Sequence, residues 1–338
     1  MKNLYKPFLI LSLVLVYLVI FAGAVVRMTG SGMGCPDWPK CFGYLIPPKE
    51  RAELDWKPNH QYKDGQVIIV EESLRVATDD FKSKTVYIES NWESYNKHDY
   101  AIFNPVHTWI EFINRLLGAL AGLATLFLLI SSLSKIKSDT VATVSSFLVV
   151  LGMGFQGWLG KTVVDSNLLP YKISIHMAMA LLIVLFLVYL LSREQKSRQE
   201  LTYAKQFRGL ALVAILLSLI QIGMGTQVRQ FVDEQMHSFN LIQASEWLAK
   251  APIIFYVHRS FSILILLIHI YWGYLYFKNN YIPPVFRIIL AVIGLEIVTG
   301  IWMYYFDFPF SSQPIHLILA ALLFGAQSFL LFVIKRKS

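Results

Sequence analysis

The second half of this chain repeats the first. Ile175-His176-Met177 returns as Ile315-His316-Leu317, and Gly160 and Gly300 each stand sixteen residues before the histidine of their half. Asn114-Arg115 is answered by His258-Arg259, and Gly23-x-x-Val26-Arg27 by Gly225-x-x-Val228-Arg229. The offset is 140 residues for the glycine and histidine pairs and 144 for Asn114 against His258. Agreement over four separated segments constrains the fold strongly, because each half must build the same unit around the same positions.

Composition says what kind of unit. The chain is 55% apolar and 15% charged, with a mean hydropathy of +0.51, the profile of a polytopic membrane protein. A spanning helix needs about 20 apolar residues. Eight runs meet that length, near 8–26, 108–131, 139–160, 173–192, 208–228, 253–277, 285–305 and 314–334. The expected fold is therefore all-α, with eight transmembrane helices as two pseudo-symmetric four-helix bundles. An N-terminal bundle covers 1–192 and includes a long outer loop, 28–107. A cytoplasmic linker follows at 193–207, and a C-terminal bundle occupies 208–338.

Lys and Arg set the orientation. With the N-terminus in the cytoplasm, the inner segments carry fourteen Lys and Arg residues, and the short outer loops carry four, Lys161, Lys172, Arg229 and Lys250. Both termini are expected to be cytoplasmic, in a bacterial-type plasma membrane. The same bias explains the net charge of +8. It gives no support to nucleic-acid binding, since the basic residues are spread over every inner loop instead of forming one surface. Lys2, Lys6 and Ala22-Gly23-Ala24 imitate a signal peptide. Because the end of that run repeats the Gly-x-x-Val-Arg of the fifth span, it is read as a retained helix.

The outer loop has no counterpart in the second half. It is rich in aromatics, and Val67–Val70 and Thr85–Ile88 read as short strands. It is either a simple cap or a docking surface. The two cysteines, Cys35 and Cys41, lie in it within Cys-Pro-Asp-Trp-Pro-Lys-Cys, on the outer side where disulfides persist. A structural disulfide is the favoured reading. A redox-active dithiol is the alternative, and two thiols without a nearby histidine make a poor zinc site.

His176, His258 and His316 open the fourth, sixth and eighth spans at one depth. A membrane histidine is costly and normally faces a bundle interior. One alone would be read as a packing residue, but three at matching repeat positions point to metal ligation. Six-coordinate haem needs two facing imidazoles, which His258 and His316 can supply. Arg259 either pairs with a haem propionate or snorkels to the interface. The first half sets His176 opposite Asn114, a poor iron ligand. A haem held there has one open face, which oxygen chemistry needs. Glu111, one turn before Asn114, either manages protons or pairs with Arg115 or Arg27. His107 lies seven residues before Asn114, about 10.5 Å higher along the axis at 1.5 Å per residue, and is a weaker ligand candidate. His269 reads as a hydrogen-bonded core residue, and His60, His98 and His237 as surface loop residues.

With these positions in view, the chain resembles the haem A synthase family over nearly all its length except the outer loop. The resemblance rests on Gly23-Ala24-Val25-Val26-Arg27-Met28-Thr29-Gly30-Ser31-Gly32, Cys35-Pro36-Asp37-Trp38-Pro39, Glu111-x-x-Asn114-Arg115, His258-Arg259 and the two Ile-His segments. It implies a haem b cofactor between His258 and His316. It further implies that haem O is the substrate in the N-terminal half, where a methyl group is oxidised through an alcohol to the formyl of haem A. Glu111, Asn114 and His176 are then the catalytic set, and Arg27, Arg115 and Arg259 the cofactor-binding arginines. Implied partners are haem O synthase, terminal oxidase assembly factors and membrane lipid, and a homo-oligomer is compatible with the sequence. The chain departs from the family pattern at Asn114, where most members have histidine, and in lacking a second cysteine pair in its C-terminal half.

Two other classes fit parts of the pattern. A diheme b-type cytochrome for electron transfer would want four histidines, and Asn114 counts against it. A transporter also carries repeats and small residues, but it gives no reason for histidine at three matching positions.

Overall fold

The computed structural model describes residues 4–95, 102–195, 199–201, 204–238, 246, 248 and 250–336. Among these residues, eight helices are long and apolar enough to cross a membrane. They are α1 (Tyr5–Met28), α2 (Pro105–Ser132), α3 (Thr140–Asp165), α4 (Pro170–Arg193), α5 (Ala204–Ser238), α6 (Ile253–Lys278), α7 (Pro284–Tyr305) and α8 (Ser312–Val333). Seven coincide with their sequence-derived spans to within a few residues. The fifth differs: α5 runs ten residues past Val228, so His237 lies on a helix and not in a loop. The extension carries Arg229 and Asp233, an i,i+4 pair that supports a polar helical end. His98, and the basic residues Lys2, Lys196, Arg198 and Lys337 used for orientation, lie outside the described residues.

Local chemistry explains the helix starts. Asn104 caps α2 by accepting from the amides of Val106 and His107, with Pro105 in the first turn. Asp139 caps α3 through Ala142 N. Pro170 and Pro284 open α4 and α7, where a missing N–H costs nothing.

In the first half, α1 packs on α2, α2 on α3, α3 on α4 and α4 back on α1. The second half closes the same cycle from α5 through α6 and α7 to α8 and back to α5. One core joins Leu9, Val16, Leu128, Val149, Val184 and Leu187, and it takes in Ala321 and Phe324 of α8. A second lies among α5, α6, α7 and α8, around Phe207, Trp272, Tyr276, Phe286 and Leu330. Helices α4 and α8 are the most buried of the eight and α6 the least. The halves meet chiefly through α1, α4 and α8. At Gly325 a Cβ would collide with the hydroxyl of Tyr17, so the bare glycine of α8 receives the end of the α1 tyrosine. At the end of the molecule bearing the termini, Arg193 pairs with Asp139 at 2.7 Å and Lys135 with Glu194 at 2.5 Å. A short parallel pair, Gln199–Leu201 with Ile334–Arg336, lies at the same end.

The loop between α1 and α2 is a small folded unit. Strands β2 (Val67–Val70), β3 (Ser73–Ala77) and β5 (Trp92–Ser94) form an antiparallel sheet, and β1 (Gln61–Tyr62) pairs with β4 (Phe81–Lys82). Strand β2 is apolar at every position because both faces are covered. Val67 and Ile69 join Cys35, Cys41, Phe42 and Leu54, while Ile68 joins Tyr62, Ala77 and Trp92. The expected strand at Thr85–Ile88 does not form. Val86 is exposed, and Tyr87 stacks on Trp92 and meets Trp56 edge-on, so aromatic contacts hold this segment where a strand ladder was expected.

Candidate functional site

The repeated glycines and the repeated ligand positions pack against each other in pairs, one pair per two helices. A Cβ at Gly23 would lie 3.9 Å from Asn114 Oδ1, at Gly160 3.5 Å from His176 Cε1, at Gly225 3.2 Å from His258 Cε1 and at Gly300 3.9 Å from His316 Cε1. Each odd-numbered helix thus presents a bare backbone to the side chain that its successor carries. The sequence repeat is a repeat of this contact.

In the second half, the His258 and His316 rings face one another with centroids 6.5 Å apart and planes at 73°. Two imidazoles on one metal, each with a metal–nitrogen bond of about 2.0–2.1 Å, leave their centroids about 6 Å apart. The ring pair therefore fits a bis-histidine haem between α6 and α8. His258 Nδ1 is buried without a hydrogen bond. His316 Nδ1 lies 2.7 Å from Glu296 Oε2 and 2.8 Å from Thr299 Oγ1. Arg259 rests against the rings of Tyr256 and Tyr304, 5.5 and 5.4 Å from their centroids.

In the first half, His176 Nδ1 and Asn114 Oδ1 are both buried and without hydrogen bonds. Unsatisfied buried polar atoms are uncommon and call for an explanation. A ligand between the diagonal helices α2 and α4 would supply one. His107 occupies the first turn of α2, seven residues from Asn114.

Glu111 is buried and paired. Its Oε2 accepts from Cys35 N at 2.8 Å, and its Oε1 pairs with Arg115. Arg115 also donates to Asp37 O at 2.6 Å, Lys40 O at 2.9 Å and Cys35 O at 3.2 Å. Of the two sequence readings for Glu111, the ion pair with Arg115 is present, and both residues are committed to the loop that Cys35 and Cys41 close. That disulfide is formed, with Cα atoms 4.7 Å apart. Asp37 accepts from the amides of Phe42 at 2.5 Å and Gly43 at 2.8 Å. Burial pushes the Asp37 carboxyl up, against the pull of those amides and of Arg115. Gly34 lies so close to α2 that a Cβ would stand 2.5 Å from His107 O. The disulfide loop is therefore seated directly on the start of α2, above Glu111.

Arg27 and Arg229 converge on one carboxylate. Arg27 Nε is 2.7 Å from Asp233 Oδ2, and Arg229 Nε is 2.7 Å from Asp233 Oδ1. This cluster ties α1 to α5, beside a Ser174–Thr226 contact at 3.3 Å between α4 and α5. His269 is fully buried, with Nδ1 2.7 Å from Ile265 O and Nε2 3.1 Å from Gln327 Nε2, as a core residue should be. His60 caps the loop unit by packing on Tyr62.

Sequence reasoning passed over Asp233, Gln156, Gln221 and Glu296. The signal for the last three was present, since each stands four residues before a repeated glycine, at Gly160, Gly225 and Gly300.

Comparison with known proteins gives the family. The family model described as "Cytochrome oxidase assembly protein" (COX15-CtaA) matches residues 6–328. A protein named Heme A synthase from Shewanella oneidensis is 28% identical over 217 residues, covering 64% of this chain and 54% of that protein. Heme A synthases from Flavobacterium johnsoniae and from Wolbachia pipientis wMel are 21% and 23% identical, covering 94% and 98% of this chain and 94% and 92% of theirs. No solved structure gives a significant match. With a family match along almost its whole length and the repeated residues in register, the chain belongs to the COX15-CtaA family of cytochrome oxidase assembly proteins.

Proposed function

We propose that this chain is a haem A synthase, which oxidises a methyl group of haem O, through an alcohol, to the formyl group of haem A for terminal oxidase assembly. Family membership and the relatives named Heme A synthase support the activity. The observation that carries the mechanism is the inequality of the two halves. His258 and His316 face each other, whereas the position matching His258 is Asn114, with its oxygen buried and unbonded.

In this reading, His258 and His316 would hold haem b, whose chemistry when bound is one-electron transfer. His176 holds the substrate haem O. Asn114 leaves the opposite face free of a protein ligand, and Gly23 behind it keeps that side uncrowded. Glu111, fixed as a carboxylate beneath the disulfide loop by Cys35 N and Arg115, is the group that would accept a proton during the oxidation. Arg115 positions the loop, Arg259 would pair with a haem propionate, and Arg27, whose Nε is taken by Asp233, would reach one only through its terminal nitrogens. The N-terminal unit, 1–192, is the reaction half and the C-terminal unit, 208–338, the electron-transfer half. Haem O synthase and terminal oxidase assembly factors are the partners this activity requires.

Among the described residues, eight helices are long and apolar enough to span a membrane. We place both termini in the cytoplasm of a bacterial-type plasma membrane on the fourteen-to-four distribution of Lys and Arg. A reporter active only outside the cytoplasm should work when fused near Asp165 and fail after Ser338, and the opposite pattern would invert this placement.

Co-expression with a haem O synthase tests the activity. Pigments extracted from the cells and separated by chromatography should contain haem A, and the purified protein should show a low-spin b-type spectrum. A second low-spin haem b with no haem A would make the chain an electron-transfer cytochrome. Absence of any haem would favour transport.

A further inference from the structure

At three of the four repeated glycines, the residue one helical turn earlier touches the histidine that the glycine faces. On α3, Gln156 Nε2 donates to the His176 carbonyl at 3.0 Å. On α5, Gln221 Nε2 donates to the His258 carbonyl at 2.9 Å. The same position on α7 holds Glu296, and here the contact moves from the backbone to the ring. Glu296 Oε2 is 2.7 Å from His316 Nδ1. On α1 the position is Val19, opposite the asparagine.

Hydrogen-bond bookkeeping fixes the His316 tautomer. The Thr299 hydroxyl donates to Glu296 O at 3.0 Å, so its oxygen is left to accept. The two groups around His316 Nδ1, a carboxylate oxygen and this hydroxyl oxygen at 2.8 Å, are then both acceptors. Nδ1 must carry the proton, and Nε2 keeps the lone pair a metal needs. A ligating histidine whose other N–H meets a carboxylate becomes a more basic ligand. His258 has no such partner, because its Nδ1 is unbonded and the Oε1 of Gln221 is also without a hydrogen bond.

We propose that Glu296 is a positioning residue for the haem b iron. It holds His316 as the Nδ1–H tautomer and lends it anionic character, making His316 the stronger donor of an unequal His258–His316 pair and lowering the haem's reduction potential. Glu296 acts through His316 and does not touch the reacting group. The proposal rests on the assignment of haem b to this pair. Its consequence for that assignment is direction: a haem of lowered potential gives electrons more readily to the N-terminal half.

Potentiometric titration of the purified full-length chain tests it. Glu296→Gln keeps size and a hydrogen-bond acceptor but removes the charge. It should retain the low-spin b-type spectrum and shift the midpoint potential upward by at least the equivalent of a tenfold change in the reduction equilibrium, about 59 mV for one electron. An unchanged potential with the spectrum intact would overturn the role. A second arm does not need Glu296 replaced. His316→Gly, filled with imidazole, offers Glu296 an N–H; filled with 1-methylimidazole, it does not. The imidazole-filled site should have the lower potential, and equal potentials would overturn the proposal. A wild-type protein lacking b-type haem would overturn the haem assignment as well, which separates the two failures.

Discussion

The two ligand sites use one scaffold and differ at few positions. In the C-terminal half, a glycine faces a histidine on each of two helix pairs, and the imidazoles stand 6.5 Å apart. In the N-terminal half, one glycine faces His176 and the other faces Asn114. A symmetric site with both axial positions filled is suited to passing electrons, since nothing else can reach the iron. A site with one histidine and one amide leaves room for a reactant. Under the proposed function, exchange of one side chain would separate electron storage from bond-making chemistry. The surroundings differ too: the disulfide loop sits over the N-terminal site alone, through Glu111 and Arg115.

The most severe way to break this comparison is to remove a ligand from each half in turn. His176→Ala should abolish haem O binding and haem A formation while the b-type spectrum persists. His316→Ala should remove that spectrum. Spectra and pigment extracts of the two variants would coincide if the halves were not specialised.

Glu111→Gln comes next. Its amide can keep one contact to the loop but cannot hold the proton as a carboxyl does. Haem A formation should fall by about 10²–10⁴-fold, as for other lost proton-transfer groups, with haem O still bound. A loss confined to folded yield would make Glu111 a purely structural anchor.

Asn114→His restores the symmetry. Protein loaded with haem O should gain a second low-spin signal and slow its turnover. Haem A made only by this variant, and never by wild type, would show that the open position is a defect and would sink the division of labour.

The smaller effects concern the frame. Cys35→Ser opens a loop whose closure contributes about 2 kcal/mol, and it should lower the thermal midpoint more than turnover per folded molecule. Asp233→Asn should cost about 1 kcal/mol, the scale of a partly exposed ion pair, read by the same melting curves. A larger loss there than at Cys35 would mean that the junction between halves, and not the loop, limits stability.

Much of this was legible in the sequence because a bilayer enforces it. Eight apolar runs leave little choice of secondary structure, and repeated histidines mark their own depth. The end of α5 was not legible, because Arg229 and Asp233 interrupt the apolar pattern while continuing the helix. The segment at Thr85–Ile88 misled, since Val, Tyr and Ile favour strands yet here serve an aromatic cluster. Glu111 showed its depth but not its partner. Its hydrogen bond to Cys35 N joins residues 76 positions apart, and no local pattern encodes that distance. Glu296 was visible only once its glycine was seen to face His316.

Arg27 and Arg229 are counterparts in the repeat, yet only the second has an acid four residues further on; at the matching place in the first half stands Ser31. Arg27 takes its neutralising charge from the other copy, at 2.7 Å. The two halves share one counter-ion. Without Asp233 the first half would hold a stranded cation, so the charge balance of each half depends on the other.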